Sequence, residues 1–173
     1  MKELNIIQYY HSECIPLHSI TELPEKEAFK TAYRLGLNDG TAFYRFKDFA
    51  NYYPRRIKTE KWLYNYFIEL GGEPKTEHPL YFVLESSDYL KDWFDNGKMI
   101  KISLSIIDIK HISFTLGDSC ANFDKEDRKE LFLKDELYDM IKNNNGTNYD
   151  LLRKIHKGHN YIECQLWNKE YIL

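Results

Sequence analysis

The sequence predicts an α+β fold with a mixed or antiparallel sheet, on three observations. Apolar residues recur with helical spacing through the first half, and alternation with period two sets in from about residue 80. The chain also lacks the regular strand-helix-strand alternation of a doubly wound parallel sheet. Its 173 residues contain no Gly/Ser/Pro-rich linker, so a single domain over 1–173 is expected.

Residues 4–10, LNIIQYY, are rich in Ile and Tyr and predict a first strand that runs into the loop HSECIPLHS. Pro24 followed by Glu25, Lys26 and Glu27 predicts a helix start, because proline tolerates the first helical position and acidic groups complement the dipole. Phe29, Ala32 and Tyr33 supply its apolar stripe, and Gly36 with Asn38-Asp39-Gly40 stops it. Phe43, Phe46, Phe49 or Ala50, and Tyr53 keep helical spacing up to Pro54, which disfavours helical geometry at Tyr53 and predicts a break there. Thr59 then reads as the cap of a new helix with Leu63, Phe67 and Leu70 on one face, closed by Gly71-Gly72.

Beyond this point LYFVL (80–84), KISLSII (101–107) and ISFTL (112–116) read as strands. A short helix capped by Ser87 and closed by Asn96-Gly97 lies between the first two. Gly117-Asp118-Ser119 predicts a turn, and Leu133, Leu137 and Met140 or Ile141 mark a helix. A last short helix takes Thr147 or Asn148 as cap, and Tyr161–Trp167 alternates as a C-terminal strand.

Hydrophobic residues make up 43% of the chain, with 14 Tyr, 10 Phe and 3 Trp, which argues for a folded globule with stacking surfaces. A net charge of -3 excludes holding a nucleic-acid backbone by overall charge and leaves only a local basic patch for that role. No apolar run reaches the roughly 18 residues of a membrane span, and MKELNIIQYY lacks the pattern of a signal peptide. A cytoplasmic protein without membrane contact is expected. The three cysteines, Cys14, Cys120 and Cys164, are widely spaced and fit reduced thiols. Cys14 beside His11 or His18 has no CxxC or HxxxH companion, so no metal is expected. GxGxxG and GxxxxGK[ST] are both absent, which removes the common dinucleotide and P-loop sites.

Four features can carry chemistry. In the last strand, Ile162, Cys164 and Leu166 share one face and Tyr161, Glu163, Gln165 and Trp167 the other, which puts Glu163 either on the wet side of an edge strand or in the wall of a cleft. Arg55 and Arg56 follow Pro54 ahead of the expected helix start, where an arginine and helix N–H groups suit a phosphate and Tyr52 and Tyr53 suit a base; a solvated basic turn is the plainer reading. The turn at Asp118-Ser119 exposes a carboxylate and a hydroxyl, and Asp118 with Glu163 would make a carboxylate pair of the kind that cleaves glycosidic bonds. His11 and His18, on the loop after the first strand, are either polar surface or catalytic groups.

In order along the chain, these pieces resemble the ADP-ribosyltransferase fold, and within it the DNA-targeting thymidine ADP-ribosyltransferase toxins. The resemblance rests on a histidine after the first strand, Tyr52-Tyr53-Pro54-Arg55, Phe114-Thr115-Leu116-Gly117-Asp118, and Ile162-Glu163-Cys164-Gln165-Leu166 followed by Lys169-Glu170-Tyr171-Ile172. It spans most of the chain and is specific in the last third. It implies an NAD-dependent ADP-ribosyltransferase or NAD glycohydrolase in which Glu163 is catalytic, Arg55 contacts NAD, His11 or His18 holds the nicotinamide ribose and Tyr53 stacks on a ring. It further implies a nucleic-acid or protein acceptor presented by residues 155–160. The competing expectation is a non-catalytic α+β domain that binds a protein partner through its aromatic surface.

Overall fold

The computed structural model describes residues 3–126, 130–144, 148–155 and 161–172. Five strands form one antiparallel sheet: β1 (Asn5–Tyr10), β2 (Leu80–Leu84), β3 (Lys98–Ser103), β4 (Ile112–Leu116) and β5 (Ile162–Leu166), in the order β3-β1-β2-β5-β4. The α+β expectation holds, and of the mixed and antiparallel alternatives the sheet is antiparallel throughout. The helices are α1 (Glu25–Leu35), α2 (Tyr44–Lys47), α3 (Phe49–Glu69), α4 (Asp88–Trp93), α5 (Lys134–Asn143) and α6 (Asn148–Ile155). None is long and apolar enough to cross a membrane.

Strand parity divides the core. One sheet face, with Ile6, Phe82, Leu84, Ile102, Phe114, Cys164 and Leu166, packs with Leu137 and Ile141 of α5 and Leu151 and Ile155 of α6. On the other face Trp167, just past β5, stacks on Phe67 of α3 at 5.6 Å between centroids with Leu63 beside it. Fully burying each such side chain contributes roughly 1.5–3 kcal/mol. A separate cluster of Ala28, Ala32, Phe43, Phe46 and Phe49 holds α1, α2 and the start of α3 together.

Several boundaries correct the sequence reading. The strand β5 is not an edge: it lies between β2 and β4, and all five of its residues are buried. An antiparallel sheet covered by helices on both faces removes the wet side that period-two alternation otherwise signals. The expected break at Pro54 is absent. Pro54 sits exposed in the second turn of α3, where its missing N–H removes a single helical bond, and the chain breaks instead at Asp48 (φ -122°, ψ 44°). Thr59 is consequently not a cap; its hydroxyl donates to the Arg55 carbonyl at 2.8 Å inside the helix. The third strand begins earlier than expected and ends at Ser103, where a 3-10 turn over Leu104–Ile106 leaves Ile106 exposed. The closing glycine of α3 and the cap of α4 match expectation: Gly71 has φ 95°, and the Ser87 hydroxyl accepts from the Leu90 amide. Thr147 and the loop 156–160 lie outside the described residues.

Candidate functional site

The register of the sheet positions Glu163. It pairs with Val83 of β2 on one side and Thr115 of β4 on the other, and its side chain points to the face covered by α3. Glu163 is only 5% exposed, so its carboxyl depends on protein partners. Its Oε1 accepts from Gln165 Nε2 at 2.9 Å and from the Ser119 hydroxyl at 2.5 Å, and the Ser119 amide lies 3.4 Å from both oxygens. Burial, then the nearby Asp118 carboxylate, push its pKa up to about 7; the Arg56 charge and the bonds from Ser119 and Gln165 act the other way.

The turn after β4 delivers Asp118 and Ser119. Gly117 takes φ 77°, a left-handed conformation that favours glycine, and its amide donates to Tyr161 O at 2.8 Å, tying the turn to β5. Asp118 Oδ1 accepts from the amides of Cys120 and Ala121 at 2.9 and 2.8 Å, which orients its carboxylate. The carboxylate pair suggested by the sequence therefore meets in one site: Asp118 and Glu163 interact electrostatically.

The cation of the site is Arg56. Its guanidinium lies 4.4 Å over the Tyr81 ring and 5.5 Å from that of Tyr52, whose hydroxyl accepts from Nε at 2.8 Å. Its Nη1 is sealed from solvent and has no hydrogen-bond partner among the described residues. Burial opposes the charge of Arg56, yet Tyr52, Tyr81, Asp118 and Cys120 hold its pKa above the ordinary arginine value. This guanidinium, beside two tyrosine rings, acts electrostatically on both Asp118 and Glu163.

One turn further along α3, Glu60 is buried with its Oε2 2.7 Å from His78 Nδ1, and its Oε1 accepts from the Tyr81 hydroxyl at 3.1 Å. The hydrogen bond to Glu60 raises the pKa of His78, with burial opposing it. Tyr81 is thereby fixed at its hydroxyl by Glu60 and at its face by Arg56.

The other residues expected at the site fall elsewhere. Arg55 donates from Nε to Cys120 O at 2.7 Å and from Nη2 to Ala121 O at 3.1 Å, and pairs with Asp124 at 3.4 Å, so its guanidinium clamps the loop behind Asp118. Arg55 does not precede a helix start, because α3 runs through Pro54. Tyr53 packs on Phe29 and Phe49, away from Glu163, and Tyr52 takes the place beside the arginine. His11 Nδ1 accepts from the Glu13 amide at 3.1 Å, and its ring lies edge-on to Phe43. It follows β1 four residues past Ile7, which shares a row with Val83 and Glu163; two strand spacings and four residues place its Cα on the order of 15 Å from that of Glu163. His18 is exposed in the same loop.

Sequence reasoning placed Gln165 on the face of Glu163 without giving it a role, and missed Tyr81, Glu60 and His78. Parity with Glu163 marks Gln165, and the spacing of four between Arg56 and Glu60 marks one helical face, but the pairing of β2 with β5 is needed to bring Tyr81 in. Among the described residues no group of three or more His, Cys, Asp or Glu could hold a metal ion. The chain matches no family model, no curated protein and no solved structure.

Proposed function

We propose that this chain cleaves the N-glycosidic bond of NAD, as an ADP-ribosyltransferase-like enzyme or NAD glycohydrolase, with Glu163 as its catalytic carboxylate. The observation that carries the reading is a glutamate 5% exposed whose pKa rises to about 7, acted on by a second carboxylate, Asp118, and by the guanidinium of Arg56. Loss of nicotinamide develops positive charge on the ribose, and a carboxylate held by Ser119 and Gln165 stabilises that charge without reorganising. The ionised form of Glu163 is required, so turnover rises with pH through about 7. Arg56 replaces Arg55 as the cation of the site, since it acts electrostatically on Glu163 whereas Arg55 is committed to the Cys120–Asp124 loop. His11 lies within a dinucleotide's length of Glu163. The order of first-strand histidine, Gly-Asp-Ser turn and C-terminal glutamate also supports the reading.

The test is direct. Millimolar NAD should raise the melting temperature, and Glu163→Gln should abolish nicotinamide release while leaving the fold intact; no thermal shift with millimolar NAD sinks the proposal.

One observation favours a second reading, a domain that binds a protein partner. Phe29, Tyr33 and Leu37, at spacings of four on and just past α1, are 37%, 74% and 70% exposed and form an apolar stripe. Concentration-dependent association or partner capture lost in Tyr33→Asp supports that role, and a monomer that captures nothing argues against it.

A further inference from the structure

The polar face of β4 and β5 contains a hydrogen-bonded chain whose direction is fixed at one end. The indole of Trp167 can only donate, and it donates from Nε1 to Ser113 Oγ at 2.9 Å. Ser113 must then send its own hydrogen onward, to Gln165 Oε1 at 2.8 Å. With Oε1 so engaged, the amide nitrogen of Gln165 faces Thr115 Oγ1 at 3.0 Å and Glu163 Oε1 at 2.9 Å. All five residues are buried, so water does not supply alternative partners from the surface. The flipped amide would leave the Ser113 hydrogen without its acceptor and set two oxygens, Gln165 Oε1 and Glu163 Oε1, against each other.

The two oxygens of Glu163 are consequently unequal. Oε1 accepts from Gln165 and from the Ser119 hydroxyl, while Oε2 has only a share of the Ser119 amide at 3.4 Å. The groups that face the carboxyl are Arg56 of α3, Asp118 of the turn after β4, Tyr81 of β2 and Tyr161 ahead of β5.

We propose that Trp167, Ser113 and Gln165 are positioning residues for Glu163: the indole sets the serine, the serine sets the amide, and the amide anchors Oε1, leaving Oε2 as the oxygen that exchanges the proton. The catalytic meaning of this relay rests on the NAD reading, but its existence does not. Because Gln165 bonds to the ionised form, the relay holds the proton affinity of a fully covered carboxyl down near neutrality, where both protonation states are populated.

The experiment follows the titration of Glu163 by carbon-13 NMR of labelled glutamate carboxyls, with Glu163→Gln assigning the signal. Gln165→Leu, which keeps the bulk and removes the donor, should raise the midpoint by about one pH unit, the worth of one hydrogen bond to a charged group. Ser113→Ala should raise it by less, because the amide is then free to turn, and Ser113→Thr, which restores the hydroxyl, should return it to the wild-type position. Variants that keep their near-ultraviolet circular dichroism and leave the midpoint in place overturn the relay. Should these variants fail to fold, the wild-type protein still decides: the nitrogen shifts of the Gln165 amide and the Trp167 indole should move with the Glu163 midpoint, and flat shifts across that range overturn the proposal. A chain that shows these shifts and releases no nicotinamide supports the relay and rejects the NAD reading.

Discussion

Replacing Glu163 by Gln should change the stability of this protein in a pH-dependent way. The carboxyl is buried, and its pKa rises from 4.5 to about 7 on folding. Between those values the native state binds a proton that the unfolded chain has released, so stability falls as pH increases through the window. The shift corresponds to about 3 kcal/mol, lost in full only above pH 7. For a chain of this length that is a fall in melting temperature on the order of 6–12 °C. Glutamine keeps the shape and cannot ionise, so the variant lacks this component. Melting wild type and Glu163→Gln from pH 5 to pH 8.5 isolates it: the variant should gain on the wild type as pH rises, with the change centred between 4.5 and 7. A difference between the two proteins that stays constant with pH, or that shrinks as pH rises, refutes the account of a buried carboxyl forced to ionise.

Three further perturbations test other parts of the structure. His78 has a raised pKa through Glu60, so its contribution to stability is complete below 6.5 and is lost as pH rises through the folded value; His78→Gln should flatten that part of the pH-stability curve, measured by urea unfolding. Pro54→Ala should stabilise the protein by about 1–3 kcal/mol, because the exposed proline sits inside α3 and the alanine restores a backbone donor; a lower melting temperature contradicts this. Trp167→Ala should cost about 3–5 kcal/mol in chemical denaturation, since it empties the space stacked on Phe67 and strips Ser113 of its donor.

Much of the fold was legible because it depends on local rules. The capping serine at 87, the glycine at 71, the apolar run of 80–84 and the alternation of 112–116 are properties of short windows, and each led to the observed element. Pro54 misled because its effect depends on position: near the start of a helix it costs one bond, and packing of Leu63 and Phe67 against Trp167 outweighs that. The site divided along the same line. Glu163, Asp118 and Ser119 were visible as candidates because parity and turn chemistry are local. The choice of Arg56 over Arg55 was not, because adjacent helical residues point about 100° apart and only the docking of α3 on the sheet decides which one faces Glu163.

The composition of that docked face bears on function more than any single residue does. Between α3 and the strands β2, β5 and β4 lie Glu60, Ser113, Thr115, Glu163 and Gln165, all buried, in a place where apolar residues of similar volume generally give equal or greater stability. The hydrogen bonds satisfy most of these groups, so desolvation is offset rather than turned to advantage. Two costs remain uncompensated: a carboxyl that must ionise near neutrality, and the Nη1 of Arg56, partnerless among the described residues. An exposed aromatic stripe on α1 needs neither of them. A site that stabilises a developing cation with a fixed carboxylate, and balances the charge of that carboxylate with an arginine, accounts for both, which is why the buried sheet face, and not the aromatic surface, is the stronger ground for assigning a function to this chain.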